Sequence, residues 1–223
     1  MSGKEEDLRN AQISFMGGVV ASATHEFMNH LAVINEYNGL LGDLLKNGRS
    51  RANVKRCVEI SDMIEGRAAE ASRLIDALNR FSHRGDKPSA SFKVNDIVGE
   101  AAVLLQRTAY ISRKTLAVDP AENNLVIIND ACLLEYLLYT LAVPYLDESK
   151  PEIMDVSIST QADDEGEAEI TIRATPAAGS QEDYAANDVL ATCLEKLGAS
   201  LDRRTTPDAV VISVSIRSLS AGI

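Results

Sequence analysis

Cysteine is scarce in this sequence: Cys57, Cys132 and Cys193 lie far apart and are odd in number. None has a neighbour at zinc or dithiol spacing, so the three read as reduced, buried thiols rather than a disulfide framework. A basic excess is also missing. The 22 Lys and Arg face 33 Asp and Glu, a net charge of -11. Residues 1–90 balance 12 basic against 12 acidic side chains, whereas residues 91–223 carry 10 and 21, so the second half holds the whole excess. That excludes nucleic acid as an expected partner, because phosphate backbones need a basic surface. It also makes the second half a poor place for a polyanion such as ATP without a dedicated pocket. No uncharged apolar run reaches the roughly 20 residues of a membrane span. The charged start, "MSGKEEDLRN", is not followed by a signal peptide, so a cytoplasmic chain without direct membrane insertion is expected.

Proline is missing from Asp7 to Arg84, and only "KNGRSRAN" (46–53) interrupts that stretch. Two long helices joined by a short turn, an antiparallel hairpin, are the simplest reading. "RGDKPSAS" (84–91) has linker composition. Beyond it the pattern changes. "VNDIVGEAAVLLQRTA" predicts a helix capped by Asn95, "KTLAVD" and "NLVIIND" predict strands, and "ACLLEYLLYTLAVPYL" predicts a helix ended or kinked by Pro144. "IMDVSISTQ" and "EAEITIRAT" alternate at period two around the acidic turn "ADDEGE" and predict a hairpin. "DVLATCLEKLGA" predicts a helix with Gly198 after its end, and "AVVISVSIRS" a final strand. The fold class is therefore α + α/β, with a helical hairpin over 1–86 and an α+β sandwich over 91–223.

Heptad spacing places the histidines. In the first helix, positions 13, 20, 27, 34 and 41 are Ile, Val, Phe, Ile and Leu, and positions 16, 23, 30, 37 and 44 are Met, Ala, His, Tyr and Leu. These columns form a bundle seam. In the second helix, 57, 64, 71, 78 and 54, 61, 68, 75, 82 form a weaker one. One hairpin cannot enclose its seam, so a homodimeric four-helix bundle is expected. His30 falls in the seam and reads as a packed histidine, and His83 ends the second helix, where a cation suits the helix dipole. His25 falls outside both columns and is open to another protein. Glu26 adjoins it, Asn29 lies one turn along, and Ala32, Val33 and Glu36 continue that side as a docking face. Five residues separate His25 from His30, so the two do not share a metal.

"HEFMNHLAVINE" resembles the phosphoacceptor box of two-component histidine kinases, His-Glu-x-x-Asn/Thr-Pro-Leu-x-x-Ile. His25, Glu26, Asn29, Leu31 and Ile34 match, and His30 stands where the proline is usual. "LIDALNRFSHR" resembles the end of that family's dimerisation and phosphotransfer domain. "DACLLEYLLYTLAVPYL" and "DVLATCLEKLGASLDRRTTPDAVVISVSI" resemble the asparagine helix and the closing elements of its ATPase domain. The resemblance implies a phosphoryl group carried on His25, with Glu26 managing the ring proton and Asn29 positioning a docked receiver's phosphoryl group.

The nucleotide motifs depart from that pattern. With Asp130 set at the start of the asparagine helix, the two family asparagines fall on Thr140 and Pro144. "RATPAAGSQED" replaces the first glycine box and "YAAND" the glycine-rich lid. A phosphate cradle needs glycines for close backbone approach. The expectation is a histidine phosphotransferase of a phosphorelay that binds no ATP and no cofactor of its own. Its partners would be receiver domains of response regulators, each bringing its own Mg2+. A divergent ATP-dependent histidine kinase and a non-catalytic response-regulator docking or scaffold module are the alternatives.

Overall fold

The computed structural model describes residues 3–46, 51–85, 89–162, 166–176 and 188–219. Helices α1 (Gly3–Lys46) and α2 (Arg51–Arg84) come first. They run antiparallel: Phe15 meets Phe81 at a ring-centroid distance of 5.4 Å, while His30, further along α1, meets Glu70, earlier on α2. The helices then give way to β1 (Ala90–Lys93), α3 (Val94–Ile111), β2 (Thr115–Asp119), β3 (Val126–Asn129), α4 (Ala131–Leu146), β4 (Asp155–Ala162), β5 (Glu167–Thr175), α5 (Asp188–Leu197), β6 (Ser200–Thr205) and β7 (Val210–Arg217). A helical pair followed by a mixed α/β layer is thus the observed architecture. Parts of the loop at 46–53, the linker at 84–91, the turn at 162–167, and most of "RATPAAGSQED" and "YAAND" lie outside the described residues.

Two compact units make up the chain. One holds the residues up to Gly17 together with those from Phe81 onward, and the other holds Gly18–Arg80. This division does not coincide with the linker, because the first turns of α1 and the last turn of α2 pack with the α/β layer. Leu8, Phe15 and Phe81 are buried there, and Phe15 sets its ring against Phe81, Tyr136 and Tyr139. Exposed ion pairs from Lys4 to Asp188 and from Lys196 to Glu5 also join α1 to α5; solvent screening leaves such pairs little net strength.

The main sheet has the order β2-β4-β5-β7-β6, with β2 parallel to β4 and every other pair antiparallel. Alternation along the strands sends Val156, Ile158, Ile170, Ile172, Ile212 and Val214 to the buried face under α3 and α4. The opposite face carries half-buried hydroxyls such as Ser159, Thr171 and Ser213. A separate two-stranded sheet pairs β1 with β3. Composition hid two strands. β1 begins inside the linker, and β6, "SLDRRT", is a polar edge strand whose inner face holds only Leu201 and Arg203, both half-buried.

Two sequence expectations need correction. Asn95 does not cap α3. The N-cap position is Lys93 without a side-chain bond, and the helix start is satisfied by Asn124 Oδ1 and the Leu125 carbonyl from the β2–β3 connection. The Asn95 amide instead bonds the Ala121 carbonyl and Thr160 Oγ1. Of the two outcomes expected at Pro144, it does not end α4, which runs on to Leu146. The second column of α2 faces outward, as the seam of a single hairpin is expected to: Val54 and Ile75 are exposed, while Ile60, Leu74 and Phe81 are buried beside the 57/64/71/78 column. Gly198 takes the left-handed conformation after α5 that its position predicts.

Lys114 holds the far end of the α/β core together. Arg113 adopts φ 56 to end α3, and the Lys114 side chain turns inward, with its Nζ donating to the carbonyls of Tyr145 (3.1 Å), Asp147 (2.5 Å) and Lys150 (2.8 Å). Three ammonium donors meet three acceptors at the negative end of the α4 dipole. Burial lowers the lysine pKa from its ordinary value, opposed by the charges of Asp147 and Glu152.

Candidate functional site

The site lies on α1 within the helical unit. Proline-free sequence and periodic apolar positions keep α1 helical through residues 19–46, so neighbours on a face are set by three- and four-residue spacing. His25 and Asn29 are both exposed and adjacent, with Asn29 Nδ2 3.2 Å from His25 Nδ1. Ala32 and Glu36 extend the same exposed face. Val33 does not. It is half-buried, because its position follows His30 along the flank of the seam.

Glu26 is turned toward the seam. Its Oε2 lies 3.5 Å from Asn29 Nδ2, and its Oε1 lies 3.7 Å from Nε2 of His30. The His30 side chain is 11% exposed, as a seam position requires, and its Nδ1 lies 3.6 Å from Oε2 of Glu70. Glu70 also receives Arg67 at 2.7 Å. Sequence reasoning missed Glu70 and Arg67. The available signal was the antiparallel register, which brings residues near 70 beside residue 30.

This geometry allows one kind of chemistry in particular. An exposed imidazole offers a nucleophilic nitrogen to a docked phosphoryl donor, and the partner of the other nitrogen decides which one attacks. With the Asn29 amide nitrogen toward Nδ1, the neutral ring carries its proton on Nε2. With the amide turned over, Oδ1 accepts from Nδ1–H and the Nε2 lone pair faces outward. Asn29 can therefore select the reactive nitrogen.

In the α/β unit, Asp130 and Thr140 both make local contacts on α4. Asp130 caps α4 by accepting from the Leu133 amide at 2.9 Å, and burial raises its pKa. Thr140 gives its hydroxyl to Tyr136, and Phe15 covers the rings of Tyr136 and Tyr139 on that side of the helix. Burial pushes the thiols of Cys132 and Cys193 up to about 11 and about 12, far from the reactive thiolate range. A cavity of about 250 Å3 opens on the hydroxyl-bearing sheet face beside Glu169, Asp202 and Arg204, but Asp202 already pairs with Arg204 at 2.7 Å. Among the described residues, no group of His, Cys, Asp and Glu is placed to hold a metal ion, and no helix is long and apolar enough to cross a membrane.

No protein-family model matches the chain, and no curated protein matches it in sequence. Solved structures do. The Acinetobacter baumannii histidine kinase AdeS is similar at 11% identity and a TM-score of 0.49, over 82% of this chain and 96% of AdeS. The histidine kinase domain of the Erythrobacter litoralis EL346 blue-light activated histidine kinase is similar at 12% identity and a TM-score of 0.47, over 82% of this chain and 95% of that one. Histidine kinase ThkA, in its complex with response regulator protein TrrA, is similar at 14% identity and a TM-score of 0.48, over 98% of this chain and 67% of ThkA.

Proposed function

We propose that the protein is a cytoplasmic histidine phosphotransferase of a two-component phosphorelay, with His25 carrying a phosphoryl group between receiver-domain aspartates. The observation that carries this reading is the exposed His25 imidazole with Asn29 bonded one turn along the same face. The phosphoacceptor-box resemblance of "HEFMNHLAVINE" supplies the reaction. The unprotonated nitrogen of His25 attacks the acyl phosphate with its lone pair, an N–P bond forms as the aspartyl O–P bond breaks and the carboxylate stays on the receiver, and the other ring nitrogen holds its proton or sheds it to solvent, with Glu26 assisting. The second transfer reverses these steps onto another receiver. Each receiver supplies its own Mg2+, and Ala32 and Glu36 contribute to the surface that receives it.

ATP has no place in this scheme. Thr140 and Pro144 offer little to magnesium or phosphate, and the glycine boxes are missing from the sequence. Calorimetric titration is expected to give no ATP binding in the micromolar range. Incubation with radiolabelled ATP should leave the protein unlabelled, whereas incubation with a phosphorylated receiver should label it at His25. Label from ATP alone selects a kinase, and receiver binding with no transfer in either direction selects a docking module.

A homodimer completes the reading. Ile13 (58% exposed), Val20 (44%), Val54 (53%) and Ile75 (39%) form outward apolar columns on the two helices, and a second hairpin would cover them in a four-helix bundle. Light scattering at micromolar concentration should give twice the 24.1 kDa chain mass, and Val20→Glu should reduce it to the monomer value. A monomeric wild-type chain overturns the bundle.

A further inference from the structure

We infer that the outer edge of β2 is a docking site for an extended segment of a partner protein in which apolar and basic residues alternate. The surface includes no residue of α1 or α2, so it does not depend on the phosphotransfer reading. β2 ends the main sheet: β4 pairs with it on one side, and among the described residues no strand pairs with it on the other. The Thr115 N–H donates to the Met154 carbonyl at 2.8 Å, so Thr115, Ala117 and Asp119 turn their backbone groups toward β4. Alternation then turns the N–H and C=O of Leu116 and Val118 outward. Such a row of backbone groups is a template for another strand, and proteins guard it with charge, proline or a cover. The opposite edge is guarded in that way, since β6 carries Asp202, Arg203 and Arg204. "TLAVD" holds no charge before Asp119, and four of its five residues are exposed.

The side chains around this edge specify the occupant. Leu116 and Val118 pair with the buried Val156 and Ile158 and point to the sheet face that α3 covers. Val118 is 37% exposed at the rim of that face. The end of the strand near Thr115 adds three exposed apolar side chains. Tyr110 (77%) and Ile111 (52%) stand where the chain leaves α3, and Met154 (51%) lies beside Thr115. Thr115, Ala117 and Asp119 point to the opposite face, which is acidic here. Asp119 and Asp155 are exposed on the strands, and Glu122 and Glu152 are exposed in the connections next to them. Against these stand Arg113, two residues before β2, and Arg173, two strands away. An added strand would bond Leu116 and Val118 through its backbone. It would lay apolar side chains over Val118 on one face and set basic ones beside Asp119 and Asp155 on the other. The period of two therefore requires apolar and basic residues in alternation.

A short blocked peptide alternating valine and lysine tests this on the full chain. Its binding is followed up to millimolar peptide by backbone amide NMR shifts and by hydrogen exchange. Shifts should centre on residues 115–119, Tyr110 and Met154. The Leu116 and Val118 amides should exchange about tenfold more slowly in the complex, because each gains a partner. A peptide alternating valine and glutamate should not bind. Val118→Pro removes an outward donor and spares the bonds to β4, at an edge position where proline is tolerated. It should weaken binding about tenfold, the loss of one backbone bond and its close approach. Asp119→Lys should weaken binding about fivefold, the range open to an exposed charge contact. Asp119→Lys alters only an exposed side chain, so it reads the edge even if Val118→Pro is too unstable to study.

Protection of the Leu116 and Val118 amides that is lost in the folded variants supports the inference. No binding at millimolar peptide, shifts that map elsewhere, equal binding of the glutamate peptide, or a folded variant that binds as wild type does overturns it. Self-association through this edge overturns it as well: a mass that grows with concentration above twice that of the chain, and falls back in Val118→Pro, gives the edge to a second copy.

Discussion

His25→Ala abolishes phosphoryl acceptance and leaves the chain folded. That is the expected result with the largest functional effect, since the only proposed site of the N–P bond is gone and no neighbouring nitrogen can replace it. His30 is 11% exposed and faces the seam, so it cannot meet a receiver aspartate in its stead. The folding half of the prediction rests on exposure. His25 is exposed, so removing its ring should open no core cavity, and the stability change should stay within about 0.5 kcal/mol. Ala32 and Glu36 remain, so a receiver should still bind the variant. Glu26→Gln should slow transfer without stopping it, because the imidazole keeps its place and loses only a charged group. Asn29→Ala should alter transfer and dephosphorylation rather than folding, through loss of the bond to Nδ1. Label transferred from a phosphorylated receiver, read beside circular dichroism and mass, checks all three. A His25→Ala protein labelled at the wild-type rate sinks the mechanism, and one that unfolds sinks the surface assignment.

Lys114→Met should be the most damaging single change to the α/β unit. Methionine fills much of the lysine stem's volume but supplies no donor. The carbonyls of Tyr145, Asp147 and Lys150 then lose the ammonium that all three share, and the end of α4 loses its charge partner. Bonds to a charged donor contribute more than neutral ones, and stranded buried acceptors add their desolvation cost, so a loss of about 3 to 5 kcal/mol is expected. Urea unfolding followed by circular dichroism measures it, and a loss below about 1 kcal/mol would show that water replaces the ammonium readily. The pH dependence carries a second signature. The folded-state pKa of Lys114 is lowered, chiefly by burial. Between that value and the ordinary 10.5, the unfolded chain holds the extra proton, so wild-type stability should gain from this group as pH rises. Lys114→Met should lack that alkaline gain.

The architecture was legible where burial imposes a period. The apolar columns of α1, the alternation of β4, β5 and β7, and the glycine after α5 each follow from local rules that tertiary contacts reinforce. His25 and His30 were separable by heptad position alone, one outside and one inside. Features set by distant partners were not legible. Asn95 looks like a cap from its neighbours, but Asn124, 29 residues on, supplies the bond. Lys114 opens the predicted strand "KTLAVD", and nothing nearby announces three carbonyls from residues 145–150. β6 was not legible from composition, because an edge strand needs little apolar sequence.

The burial of Leu8, Phe15 and Phe81 with the α/β layer has a consequence for the order in which the chain can be assembled. In topological terms, residues 18–80 are an insertion: the chain leaves the α/β unit at Gly17 and re-enters it at Phe81. During synthesis the inserted helices have all their own partners early, while the first turns of α1 must wait for Tyr136 and Tyr139, more than a hundred residues later. A fragment starting at the 84–91 linker would lack three of its own core side chains.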